Sequence, residues 1–225
     1  MTRKEEKKMK SKSLKKVLAT ALALSLVMAP VMGVNASTNN NAPSEGSSTS
    51  VSTEVAATIP ETSTVSVGGK VLTSTVKGAY MSKTIPGTVV ATDKATLAAG
   101  YGLAAGEQPY TRVYDINEAK SPAAMASINA AAGAVGGTVI ATVNVELGKL
   151  AGGKFSLLAQ DGAPITMAFG IPKSAVKAGF AYAMICVRPG GVIEVLPDLD
   201  ADPNTVTFNT TGGLGAYAMI MYPVA

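Results

Sequence analysis

Residues 66–225 predict a mainly β fold, an antiparallel β-sandwich with one or two short helices packed on it. Three observations carry this. Apolar and polar residues alternate over short runs, turn-forming residues punctuate those runs, and apolar spacing of the helical kind is confined to a few brief stretches.

The chain opens with a different texture. Arg3, Lys4, Lys7, Lys8, Lys10, Lys12, Lys15 and Lys16 precede the apolar stretch Val17–Ala29, "VLATALALSLVMA". A stretch of 13 residues suits the central region of an export signal and falls short of the roughly 20 that span a bilayer. "VNA" places the small residues Val34 and Ala36 where a signal peptidase reads them. Residues 1–36 are therefore expected to be a signal peptide, with the secreted chain starting at Ser37 and no membrane span left after cleavage.

Cleavage would reverse the charge. The whole chain has 19 basic and 15 acidic residues, net +4. The leader holds eight of the former and two of the latter, so residues 37–225 carry 11 and 13, net −2. No basic patch with interleaved aromatics survives, which argues against nucleic acid as a partner. The single cysteine, Cys186, allows no internal disulfide. An exported chain without disulfides, behind a long Lys-rich leader, suits a Gram-positive cell.

Residues 37–65 are rich in Ser, Thr and Asn with almost no large apolar side chain. Such a segment buries too little surface to offset the entropy of ordering it, and it reads as a disordered spacer. "DKATLAAG", Asp93 to Gly100, predicts a short helix. "SPAAMASINAAAGAVGG" predicts a longer one: Ser121 at the N-cap, Pro122 in the first turn, Gly136–Gly137 as the stop. Its stripe, Met125, Ile128, Ala132 and Val135, is thin and alanine-rich, so the helix must lie close against a sheet.

"TVIATVNVEL" puts Val139, Ala141, Val143, Val145 and Leu147 on one face and Thr142, Asn144 and Glu146 on the other. "GKFSLLAQ" alternates Phe155, Leu157 and Ala159; "PITMAFGIP" alternates Ile165, Met167, Phe169 and Ile171. "KSAVKAG" offers one helical turn ending at Gly179. "RPGG", Arg188 to Gly191, marks a tight turn between "YAMICV" and "VIEVL". "TVTFNT" alternates Val206 and Phe208. "AYAMI" occurs at Ala181–Ile185 and again at Ala216–Ile220, apolar on both faces, as expected of two central strands.

The chain has no histidine and no tryptophan. That excludes His-dependent triads and imidazole-based metal sites. A sugar-binding surface would have to use Tyr80, Tyr101, Tyr110 or Tyr114. "GYGLAAG", Gly100 to Gly106, has its third glycine one residue late for a dinucleotide fingerprint and follows a helix instead of a strand, so it reads as a loop. "SAVK", Ser174 to Lys177, matches S-x-x-K but lacks the partner motifs S-D-N and K-T-G. Cys186 lies within an apolar strand with no His or cluster of basic side chains near it in sequence to lower its pKa.

The acids Glu107, Asp115, Glu118, Glu146, Asp161 and Glu194 fall one per segment. A Lys–Asn cross-link would need Lys70 or Lys77 with Asn209. "PDLDADPNT" spaces Asp198, Asp200 and Asp202 like the first ligands of a calcium loop. However, Pro203 stands where the loop needs its glycine and Asn209 where it needs a bidentate glutamate. An acidic turn between strands is expected, with no catalytic, cofactor or metal residue assigned and no cofactor implied.

The stretch "IPKSAVKAGFAYAMICVRPGGVIEVLPDLDADPNTVTFNTTGGLGAYAMIMY" resembles a C-terminal β-module of secreted and wall-associated proteins from Gram-positive, Clostridia-like bacteria. The whole chain from Ser66 looks like uncharacterised small secreted proteins built around that module. The resemblance implies a β-sandwich and an extracellular or loosely wall-associated place, and it transfers no site residue.

The leading expectation is a non-catalytic extracellular module for binding or surface display, its partner a protein or glycan at the cell surface. One alternative is a carboxylate-dependent hydrolase, which needs two acids in one cleft. Another is an assembly subunit using an exposed edge strand.

Overall fold

The computed structural model describes residues 59–224. The expected signal peptide and residues 37–58 of the expected spacer lie outside the described residues. Packed structure begins before Ser66. The carbonyls of Pro60, Glu61 and Ser63 accept from the N–H groups of Tyr80, Gly78 and Ser74. Val65 is buried. Polar side chains masked this stretch in the sequence, but backbone pairing does not need apolar side chains.

The chain is mainly β, a sandwich. Strands β1 (Thr64–Val67) and β2 (Lys70–Thr73) form a hairpin. Gly68 and Gly69 join them, both at positive φ, as a two-residue turn of this kind requires. The remaining strands are β3 (Lys77–Tyr80), β4 (Thr88–Val90), β5 (Gln108–Asp115), β6 (Thr138–Ala151), β7 (Lys154–Leu157), β8 (Ile165–Gly170), β9 (Phe180–Val187), β10 (Ile193–Pro197), β11 (Thr205–Thr210) and β12 (Gly213–Pro223). Helix α1 covers Lys94–Gly100, capped by the Asp93 carboxylate on Thr96 N–H, and α2 covers Pro122–Ala134. "KSAVKAG" supplies a 3₁₀ turn at Lys173–Ala175.

A large sheet runs β10-β9-β12-β6-β5-β3, with β7 also paired to β6. A smaller one runs β11-β8-β4. Pairing is antiparallel except between β3 and β5. Between those two the chain detours through β4 of the other sheet and then α1, and this crossover lets it return in the same direction.

Four layers result. Val143, Val145, Met184, Tyr217 and Met219 of the large sheet meet Met167, Phe169, Val206 and Phe208 of the small one. The Phe208 ring meets Phe169 edge-on at 5.0 Å. On the other face of the large sheet, Met125, Ile128 and Ala132 of α2 cover Ala183, Ile185, Ala218 and Ile220. The β1–β2 hairpin covers the outside of the small sheet through Val65, Val89 and Ala168.

The two "AYAMI" segments are neighbours as well as core strands. They pair antiparallel with Met184 opposite Met219, Ala183 opposite Ile220 and Ile185 opposite Ala218. Each needs apolar residues on both faces because one face meets the small sheet and the other meets α2.

Three expected faces are corrected. A β-bulge between Met219 and Ile220 sets Ala141 and Val139 opposite successive residues of β12, so Ile140 has no partner of its own. Alternation shifts there: Ile140 packs with the inter-sheet core and Val139 with the α2 layer. In β7, Leu157 is 47% exposed and Leu158 is the buried residue, because the strand ends and the chain turns inward. Val135 is 44% exposed, lying beyond the last turn of α2. Ser121 precedes α2, as expected, but its side chain makes no capping bond.

Thr111 Oγ1 on β5 is a buried hydroxyl with no hydrogen-bond partner, and the residue is 0% exposed. An unpaired buried hydroxyl costs about 1–3 kcal/mol. Thr111→Val keeps the shape and removes the orphan group. It is expected to raise the unfolding free energy by about 1 kcal/mol, read as a higher denaturation midpoint in urea; a lower midpoint would refute this account.

Candidate functional site

The concavity that stands out lies where α2 leaves the large sheet. Its alanine-rich stripe brings α2 close to β9, β12 and β6, while the β9–β10 turn rises beside its N-terminal half. The gap between them has a volume of about 360 Å³. Val187, Leu214 and Ala216 form its floor. Ser121 and Ser127 of the α2 side, Asn144 of β6 and the backbone of Pro189–Gly191 form its rim.

The turn is held from below by Arg188, which is 5% exposed at the end of an otherwise apolar strand. Its Nη1 donates to Gly212 O at 3.1 Å, and its Nη2 to Thr210 Oγ1 at 2.7 Å and Thr211 Oγ1 at 3.1 Å. Nε lies 3.5 Å from Glu194 Oε2. The guanidinium also sits 5.8 Å from the centre of the Tyr217 ring. With these partners Arg188 serves as a strut for the turn. Gly190 and Gly191, at φ 87° and 81°, let the chain reverse above it.

A polar ladder leads away from the cavity across β5 and β6. Asn144 Nδ2 donates to Tyr114 Oη at 2.7 Å, and Tyr114 Oη donates to Glu146 Oε1 at 3.0 Å. Glu146 Oε2 meets Arg112 Nη1 at 3.4 Å, and the Arg112 guanidinium stacks 4.0 Å from the Phe155 ring centre. Tyr110 touches Phe155 edge-on at 6.1 Å. Burial, and then the neighbouring Glu146, raise the Tyr114 pKa, so the phenol stays a donor.

Of the four tyrosines expected for a sugar surface, Tyr110 and Tyr114 thus share one outward face. The other two are structural. Tyr80 is buried with its hydroxyl on Ser74 and Val76 O, and burial pushes its pKa up to about 12. Tyr101 in "GYGLAAG" donates to Ala163 O and accepts from Gly212 N, pinning that loop to the start of β12.

The acids do not converge. Glu107 pairs with Lys149, Glu146 with Arg112, and Glu194 with Arg188. Asp115 accepts from Ser82 Oγ, Lys83 N and Thr84 Oγ1. Burial alone would raise its pKa, and those hydrogen bonds outweigh it and lower the pKa. Asp161 is exposed.

In "PDLDADPNT" each carboxylate turns back on its own chain. Asp198 Oδ1 accepts from Asp200 N, Asp200 Oδ1 from Asp202 N, and Asp202 Oδ1 from Asn204 N. These are three successive Asx turns. Asp198 also takes Thr207 N on β11, Asp200 takes Thr207 Oγ1, and Asp202 takes Gly68 N of the hairpin. The segment is an acidic connection that ties β10, β11 and the β1–β2 hairpin together. Among the described residues no group of three acids, cysteines or histidines could hold a metal ion.

Cys186 is fully buried, and burial pushes its thiol up to about 11. Ser174 and Lys177 are both exposed, with Lys177 Nζ 6.0 Å from the Phe180 ring centre. Lys70, Lys77 and Asn209 are exposed and lie in three different sheets; Lys77 pairs with Glu61 and Asn209 with Thr166. Among the described residues no helix is long and apolar enough to cross a membrane.

Reasoning from sequence missed Arg188, Asn144 and Ser127. Arg188 was absorbed into a turn signal, and only its place after six apolar residues hinted at burial. Asn144 and Ser127 carry no local pattern, because their neighbours in the cavity are distant in sequence. No family model, curated protein or solved structure matches the chain.

Proposed function

We propose that the protein is a non-catalytic extracellular module that binds a neutral, hydroxyl- or amide-bearing group of a cell-surface glycan or protein in the cavity beside α2. The observation that carries this is the lining: a small apolar floor under two serines and an asparagine, in about 360 Å³. Binding sites are commonly apolar concavities of roughly 300–1,000 Å³ with a few placed polar groups. Neither a carboxylate nor a thiol stands in the lining, and the one cation there, Arg188, is held by its own neighbours. That chemistry suits a neutral polar ligand better than an ion or a bond to be cleaved. The expected export signal supplies the extracellular setting.

Ser127 is half-buried on the cavity wall, so Ser127→Phe fills the space without entering the core. The purified protein is expected to be retained by Gram-positive cell-wall sacculi and to bind an N-acetylglucosamine tetramer. Ser127→Phe should weaken both by at least about tenfold, or 1.4 kcal/mol, while the melting temperature holds. Binding that survives the substitution, or cleavage of either probe, would reject the proposal.

A further inference from the structure

We propose that β10 is a self-association edge, pairing antiparallel with β10 of a second copy about Val195. The two ends of the large sheet are treated differently. At the β3 end the chain closes its own edge: Pro60 and Glu61 accept from Tyr80 and Gly78. At the other end β10 is terminal.

The phase of its hydrogen bonds follows from the turn. Arg188 N donates to Val192 O at 2.8 Å, and Ile193 lies opposite Val187. Antiparallel pairs alternate, so Glu194 and Leu196 bond inward to β9 while Ile193 and Val195 turn their N–H and C=O outward. Among the described residues those outward groups have no backbone partner. The strand and the residues flanking it are also apolar where they are open. Val192, Ile193, Val195 and Leu199 are 57%, 43%, 50% and 53% exposed. No lysine or bulge guards it; Pro197 ends it.

Charge and register select the occupant. With Val195 on a twofold axis, Val195 meets its own copy and the two exchange both backbone bonds. Glu194 then faces Leu196 of the second copy, and Ile193 donates to the Pro197 carbonyl, while Pro197, lacking an N–H, leaves the Ile193 carbonyl at the rim to water. Moving the axis to Glu194, a slide of two residues, sets Glu194 against Glu194, a like-charge pair that destabilises a ladder. The same patch therefore complements itself, as a twofold interface must. Each copy would cover the other's row of Ile193 and Val195. These side chains continue the face of Val187 and Ile185 that α2 covers further in.

Sedimentation of the purified protein from about 1 μM to about 1 mM is expected to show monomer giving way to dimer. Val195→Pro removes an N–H that the fold does not use, and Val195→Lys places two ammonium groups on the axis. Each should weaken dimerisation at least about tenfold while the circular dichroism spectrum and melting temperature hold. Val195→Cys should form a disulfide-linked dimer under oxidised glutathione, whereas Ile193→Cys and the wild type, whose Cys186 is buried, should not. A protein monomeric over the whole range would overturn the proposal. So would a dimer indifferent to both substitutions, or equal cross-linking through Ile193→Cys. A dimer that forms while the cavity binds nothing would separate this inference from the proposed ligand site.

Discussion

Arg188→Ala is expected to lower the unfolding free energy by about 3–5 kcal/mol, from two or three buried polar groups left without their partner at about 1–3 kcal/mol each. The guanidinium supports five groups at once: Gly212 O, Thr211 O, the hydroxyls of Thr210 and Thr211, and the Glu194 carboxylate. Its removal leaves Gly212 O and the two hydroxyls facing a void where water was excluded. Thr210 keeps its 2.6 Å bond with Tyr217 Oη, so the loss is partial there. Glu194, 41% exposed, regains water and adds little to the cost. Arg188→Lys should recover less than half, because one ammonium cannot span Gly212, Thr210 and Glu194 together. Urea unfolding monitored by tyrosine fluorescence measures both. A loss below about 1 kcal/mol, an ordinary surface hydrogen bond, would mean that the strut is not what holds the β9–β10 turn. The same variant should loosen ligand binding, since Pro189–Gly191 form one rim of the cavity.

The large architecture was legible because it rests on local patterns. Period-2 alternation found β6, β8 and β11, and "RPGG" found the β9–β10 hairpin. The apolar "AYAMI" pair named the central strands β9 and β12. What escaped depends on partners across space. The bulge opposite Ile140 reverses the face of Val139 through the pairing of β6 with β12, and no window of β6 alone contains that information. Residues 60–65 joined the domain through backbone bonds, which side-chain texture does not report. The parallel β3–β5 pair required knowing that β4 leaves for the other sheet.

The site was less legible than the fold for a related reason. Its floor comes from β9 and β12, its rim from β6, α2 and a turn, and each contributes one or two ordinary residues. Motifs that looked like chemistry resolved into structure instead. The three aspartates each cap the next peptide, and Tyr101 in the glycine-rich loop staples two segments. The absence of histidine from the sequence was the most useful functional signal, since it removed whole reaction classes without any coordinates.

Ile128→Asp is expected to cost about 3.5–6 kcal/mol. Ile128 is 0% exposed and lies at the centre of the layer beneath α2, with Met125 and Ala132 beside it. Losing the buried side chain removes about 1.5–3 kcal/mol of apolar burial. Placing a carboxyl there without a partner adds roughly 2–3 kcal/mol even if it takes up a proton. The sum rivals the whole stability of an ordinary domain, about 5–15 kcal/mol. Two outcomes are distinguishable. If α2 is an integral layer, the variant unfolds or melts far below the wild type as one unit, because Ala183, Ile185, Ala218 and Ile220 lose their cover together. If α2 is a loosely docked lid, the sheets persist and only helical signal and ligand binding vanish. The closeness of the contact decides for the first: Met125, Ile128 and Ala132 are all buried, and the small residues Ala183, Ala216 and Ala218 below let the helix approach the sheet. Met125→Asp, at 8% exposure, should lose less than Ile128→Asp because its carboxylate can reach water at the edge of the layer. Equal losses at the two positions, or an unchanged melting temperature at either, would show that α2 is not seated as described.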